Sequence, residues 1–328
     1  MEHTASNDAP TVPKLPLELL LQILELTCAL SPEAARQVSL VASWARDVAK
    51  PYVFGTIIRS VGSLYSPRFR LGIMHKGPPA GCGEYVRHLW LETVDLIASP
   101  REIILFKGCP NVEDIALSVN SFRTLLTLHG TPTSRPGSCA VRQLTLLSPT
   151  PRTIFLAVDA RNILMRNITH LRMVDLQESV YVPLDHLPNL THLALPFMHL
   201  RGANSSSIIQ LPEYRDKCPR LSMIILTVDQ YDWVHRPWLS RGRYTTLATV
   251  PLSDSPRERF RIIRDAARSA DARAHVILSP VIVDRTVCVE WTAAARGSGE
   301  SIWEKAARVA HDDSELEQLP TAYPKFHI

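Results

Sequence analysis

The chain has 328 residues, 45% of them hydrophobic and 21% charged, with a formal net charge of +4. That composition supports a folded core of one large domain or two modest ones, and the small charge gives no basis for nucleic acid or an acidic membrane as principal partner. The longest apolar stretch, Leu15 to Leu30, is broken by Glu18, Gln22 and Glu25, and no basic N-terminal stretch leads into an uninterrupted apolar run. The sequence therefore reads as neither membrane-spanning nor secreted, and its expected location is intracellular, cytoplasmic or nuclear.

Residues 1–14 are polar and carry two prolines, which predicts a disordered tail. A helix is expected from Leu15-Pro16 through Thr27, because proline is tolerated where the missing amide would be unpaired anyway. On it Glu18, Gln22 and Glu25 form one narrow polar stripe, and leucines and Ile23 fill the rest. One apolar face can be covered within a small helical unit; the other must meet the rest of the chain or another protein. A second helical stretch is predicted from Ser31-Pro32 through Val48, stopping before Pro51, and Tyr52 to Ile58 reads as a strand.

The ordered set Leu15, Pro16, Glu18, Leu19, Ile23, Leu24, Val38, Leu40, Trp44, Pro51 and Phe54 resembles the F-box, in particular the F-box-like domains that precede divergent repeats in many fungal proteins. The resemblance implies a helical unit over residues 15–58 that docks on the Skp-type adaptor of an SCF-type (cullin-RING) ubiquitin ligase. Leu15, Pro16, Leu19 and Ile23 would then face the adaptor. Many F-boxes carry a basic residue shortly before the tryptophan; here Ala42-Ser43 precede Trp44.

From residue 84 onward six segments repeat the pattern apolar-x-x-apolar-x-apolar. Their middle positions, Leu89, Ile115, Leu144, Leu171, Leu193 and Ile224, lie 26, 29, 27, 22 and 31 residues apart. Leucine-rich repeats run roughly 20 to 29 residues, with one strand each. Helices are expected between strands, at Ser99 to Lys107 and Thr150 to Met165. The usual asparagine three residues after the last apolar position occurs only as Asn120. The predicted fold is α/β: the helical unit, an irregular leucine-rich-repeat-like solenoid with a parallel sheet over 59–230, and a C-terminal α/β cap over 231–328. In that cap a helix is expected at Pro256 to Ala270, a strand at His275 to Val283 and a helix at Ser301 to Val309.

Side chains alternate along a strand, so residues between the apolar positions are expected on one outward face. One column is His88, Asp114, Gln143, His170, His192 and Met223; the next runs from Trp90 through Arg172; Glu92 opens the third. His88, Trp90, Glu92, Asp114 and Arg172 are the candidate partner-binding residues, with Trp90 as anchor. The Met223 end is expected to be covered by residues 230–328. His170 and His192 are neighbours without evident third and fourth ligands, so no metal is expected.

Arg257, Arg259, Arg261, Arg264, Arg268 and Arg273 alternate with acids and read as a solvated helix face. Tyr231, Trp233 and Trp238 read as core. The six cysteines show no paired motif and are expected as reduced, mostly buried thiols. Three N-x-[ST] tripeptides, at Asn167, Asn189 and Asn204, are discounted as glycosylation sites because no secretory signal is seen. No catalytic motif or cofactor loop is present. The function expected is a non-catalytic substrate receptor of a ubiquitin ligase with an unknown protein substrate, and no cofactor, nucleic acid or membrane is expected. The alternative is an F-box-derived scaffold that engages no ligase.

Overall fold

The computed structural model describes residues 15–59, 78–92, 100–129, 139–148, 151–156, 158, 162–174, 182–196, 218–235, 255–279, 284–309, 317 and 319. The chain divides after Val53 into two compact units.

The first unit is helical. α1 (Leu17–Leu30) begins on Pro16, whose carbonyl accepts from the Leu20 amide at 3.1 Å. α2 (Pro32–Ser39) starts with Ser31 capping the Ala34 amide and Pro32 in the first turn, a favoured pairing at a helix start. α3 (Ser43–Phe54) follows. The single stretch expected from Ser31 to Val48 is thus two helices. Ser39 donates its hydroxyl back to the Arg36 carbonyl at 2.6 Å, the kind of local bond that competes with helix propagation. Pro51 does not stop α3, because proline removes one intrahelical bond and the flanking turns hold the helix to Phe54. The expected strand at 52–58 therefore shrinks and shifts to β1 (Thr56–Arg59). Cys28, Ala35, Val38, Ala45 and Ala49 form the buried core of this unit, with Leu24, Ala42 and Val53 against it.

The second unit is a repeated parallel α/β structure. After β1 come β2 (His88–Leu91), β3 (Asp114–Leu117), β4 (Gln143–Leu146), β5 (His170–Met173), β6 (His192–Pro196), β7 (Met223–Asp229) and β8 (Ala274–Ser279). All eight lie parallel, in chain order, in one sheet. The six repeated segments sit in a common register: His88 pairs with Asp114, then Gln143, His170, His192 and Met223. The sheet gains a strand at each end, β1 pairing with β2 and β8 with β7.

One face of the sheet carries the main core. Leu89, Ile115, Leu144, Leu171, Leu193 and Ile224 are all buried there. Against them lie α4 (Pro100–Gly108), α5 (Val119–His129), α6 (Arg152–Leu156), α7 (Ile163–Asn167) and α9 (Pro256–Ala270), through residues such as Leu105, Phe122, Phe155, Leu164 and Phe260. The helix expected over 150–165 is two short ones, because Asn162 caps the second by accepting from the Leu164 and Met165 amides. α8 (Gln230–His235) buries Trp233, whose indole donates to the Pro256 carbonyl at 3.0 Å and lies 4.7 Å below the Arg259 guanidinium. The Trp238 of that expected aromatic cluster lies outside the described residues.

A second helical layer covers the other face of the sheet. α10 (Asp284–Ala295) packs Val287 and Trp291 on Trp90 and Ala116, and α11 (Ile302–Val309) packs Ile302, Ala306 and Val309 on Ala194, Ile225 and Ile277. A parallel sheet clothed on both faces is the common arrangement, since bare strand faces would leave apolar columns in water. The Met223 end is covered as expected, and so is the Trp90 end.

Asparagines repeat on the N-terminal side of the strands. Asn111, Asn167 and Asn189 each stand three residues before a strand and donate to a carbonyl of the preceding repeat, those of Glu84, Cys139 and Arg166, at 2.9, 2.8 and 2.7 Å. Arg220 extends the ladder by donating to Asn189 Oδ1 at 2.6 Å. Two of the three glycosylation-like asparagines are therefore part of the repeat's own hydrogen bonding. Arg259 and Arg264 are buried, so the expected solvated face of α9 is partly an interior one. Five cysteines are buried and Cys288 is half-buried, all free thiols; burial pushes the Cys109 thiol up to about 11. No helix among the described residues is long and apolar enough to cross a membrane.

Candidate functional site

Two surfaces carry the residues singled out from the sequence. The first is α1. Leu24 and Cys28 point into the small core of the first unit. Successive residues turn by about 100° around a helix, so Leu19, Ile23, Leu26 and Leu30, at i, i+4, i+7 and i+11, fall within one narrow stripe on the opposite side. All four are exposed, Leu26 by 70% and Leu30 by 78%. Leu15, also exposed, continues the line just before the helix, with Pro16 beside it. The four expected adaptor-facing residues thus lie on an uncovered apolar surface. Leu26 and Leu30 extend it by more than a turn, which the i+7 and i+11 spacing could have revealed.

The second surface is the outward sheet face beneath α10 and α11. Trp90 was expected to stand open as an anchor; it is 1% exposed, its ring centroid 5.4 Å from that of Trp291 on α10. Arg172 is likewise buried, and its guanidinium holds Glu290 of α10 in a two-pronged pair at 3.0 and 3.4 Å. His88 and Asp114 sit side by side, Nδ1 3.9 Å from Oδ2, too far for a hydrogen bond. Glu92 is half-buried at the end of β2. The correction to the open face has a plain cause: the helix expected from the sequence only at Ser301 to Val309 is preceded by α10, which lies over this part of the sheet. Asp114, Gln143, Arg172, Glu290 and Trp291, with apolar neighbours such as Leu144 and Ile302, line a cleft of ≈ 30 Å³ of mixed polarity between the layers, with room for a water.

Under α11 the imidazoles of His170 and His192 stack at 4.1 Å and 9°, and both meet the Trp303 ring edge-on, at 5.1 and 5.6 Å. Each Nδ1 is bonded to the preceding threonine hydroxyl, of Thr169 at 2.9 Å and Thr191 at 2.8 Å. The Thr191 hydroxyl also donates to the Thr169 carbonyl at 3.0 Å, so its proton is engaged and His192 Nδ1 carries the hydrogen of the Thr–His bond. Burial, and then the neighbouring His192, holds His170 down to about 4; burial lowers His192 as well. Both rings are therefore neutral near pH 7. No group of three or more metal-ligating side chains occurs among the described residues.

Neither a protein-family model nor a curated protein matches the chain.

Proposed function

We propose that the chain is a non-catalytic protein-interaction subunit: an F-box-like docking unit followed by an irregular leucine-rich-repeat-like array, acting as a substrate receptor of an SCF-type ubiquitin ligase. In this reading the first unit binds a Skp-type adaptor, the second selects the protein target, and the transfer chemistry belongs to other subunits. The observation that carries it is the apolar stripe of Leu19, Ile23, Leu26 and Leu30 on the side of α1 away from its own core. Completing the burial of side chains of this kind is worth roughly 1 kcal/mol or more each, so a partner that covers the stripe gains several kcal/mol from it. The register of the repeats and the asparagine ladder support the array reading.

Co-purification of the full chain with the Skp-type adaptor of its own organism, beside the double variant Leu19→Asp/Ile23→Asp, tests the reading. The native chain is expected to give a stoichiometric complex, and the variant to lose it while keeping its far-UV circular dichroism. A native chain that forms no complex, or a folded variant that binds equally well, overturns the reading.

A further inference from the structure

The two helices on the outward sheet face are held in different ways. α11 is locked by matched contacts: Ile302, Ala306 and Val309 meet an apolar patch, Ser301 and Glu304 cap its start reciprocally, and Lys305 donates to the Leu278 carbonyl. α10 covers polar atoms that it leaves without hydrogen bonds. His88 Nδ1, Trp90 Nε1 and Trp291 Nε1 are buried there with no hydrogen-bond partner. Each of these groups would bond to water on an uncovered sheet, so each opposes the covered state. Among the described contacts, α10 is held by Val287 and Trp291 on Trp90 and Ala116, with Ile58, Leu147 and Val174 packed against them, and by the Arg172–Glu290 pair.

The connection on its C-terminal side suits a pivot. α10 closes with Gly297 at φ 66°: the Gly297 amide donates to the Ala294 carbonyl, and the Ser298 and Gly299 amides and the Ser298 hydroxyl donate to that of Ala293. Residues 296–300 then run exposed to α11, with Glu300 in a two-pronged pair with Arg308 of that helix.

We propose that α10 is a displaceable cover, leaving the sheet as one unit about residues 296–300 while α11 stays in place. What it bares is His88, Trp90, Asp114 and Arg172 beside the apolar Ile58, Ala116, Leu147 and Val174. A mixed face of this kind with a tryptophan at its centre is suited to protein recognition. The cover would make target access to this face conditional on its release. The displacement itself concerns the second unit alone and holds whether or not the first unit docks an adaptor.

The α10 amides are bonded within the helix, and a helix of 12 residues freed from the sheet is marginal in water, so native-state hydrogen exchange of the full chain, followed by mass spectrometry in sub-denaturing urea, reads the displacement through the melting of the released helix. Release as a unit gives the α10 amides one shared exchange curve with a urea slope well above zero and well below that of the sheet. Leu226→Ala, in β7 and buried on the far face of the sheet, is expected to speed amides that exchange by global unfolding by more than ~100-fold and to leave those of α10 unchanged. Where that variant does not fold, Ile224→Val makes the same separation on a smaller scale. Arg172→Gln is expected to speed the α10 amides at least tenfold. A zero urea slope in α10, which is fraying, overturns the proposal. So does acceleration of α10 in step with the sheet in Leu226→Ala.

Discussion

The two units use their apolar residues in opposite ways. Of the twelve large hydrophobic side chains that stand exposed among the described residues, ten lie between Leu15 and Tyr52, and the second unit contributes only Ile104 and Val289. The core of the first unit is small, built on alanines, one cysteine and Val38, whereas the second buries ranks of leucine, isoleucine and phenylalanine on one face of its sheet and tryptophan on the other. A unit that leaves its leucines in water while enclosing alanines presents the apolar surface that the proposed adaptor contact requires. The second unit clothes both faces of its parallel sheet with helices of its own.

The sharpest way to break this contrast is to cut into each side. Leu171→Ala removes a fully buried side chain at the centre of the sheet and is expected to cost the second unit about 3 kcal/mol, seen as a lower urea midpoint at unchanged slope. A loss below about 1 kcal/mol would mean that the ranks of leucine are less tightly packed than described here.

Acid should also divide the units, since residues 15–53 contain no histidine. His170 is held down to about 4 in the folded second unit, against about 6.5 in an unfolded chain. Below pH 6.5 the unfolded state takes up a proton that the folded state refuses, so stability is lost as pH falls from 6.5 towards 4. After discounting for the partly open setting, the loss is about 1–2 kcal/mol. Urea midpoints at pH 7 and pH 4.5, in the native chain and in His170→Gln, check this; part of the slope stays with His192, and a slope undiminished by the substitution places the acid sensitivity elsewhere. The smallest effect is expected on the exposed stripe: Leu26→Ala/Leu30→Ala should change the stability of the isolated chain by no more than about 0.5 kcal/mol, while weakening any adaptor complex.

Much of the sheet was legible in the residues. The apolar-x-x-apolar-x-apolar pattern placed β2 to β7, and the middle leucines and isoleucines fell into register because each strand repeats the same period-2 alternation over the same inner face. The asparagine ladder was not legible from the usual repeat position, which only Asn120 fills after a strand; its members stand three residues before the strands. β1 was misplaced for a local reason: Pro51 argues for a helix end, yet α3 runs on for three more residues.

For the candidate sites the division is physical. Local order in the chain was enough to put Leu15, Pro16, Leu19 and Ile23 on one side of a helix and to align His88 with Asp114 and His170 with His192, because helix pitch and strand alternation are properties of neighbouring residues. Whether Trp90 and Arg172 face water or protein depended on α10, whose Trp291 lies 201 residues after Trp90 and whose Glu290 lies 118 residues after Arg172. Nothing in the alternation around Trp90 distinguishes an outward residue that is bare from one covered by Trp291. Contacts of that kind form between segments far apart in sequence, and only the tertiary structure decided them.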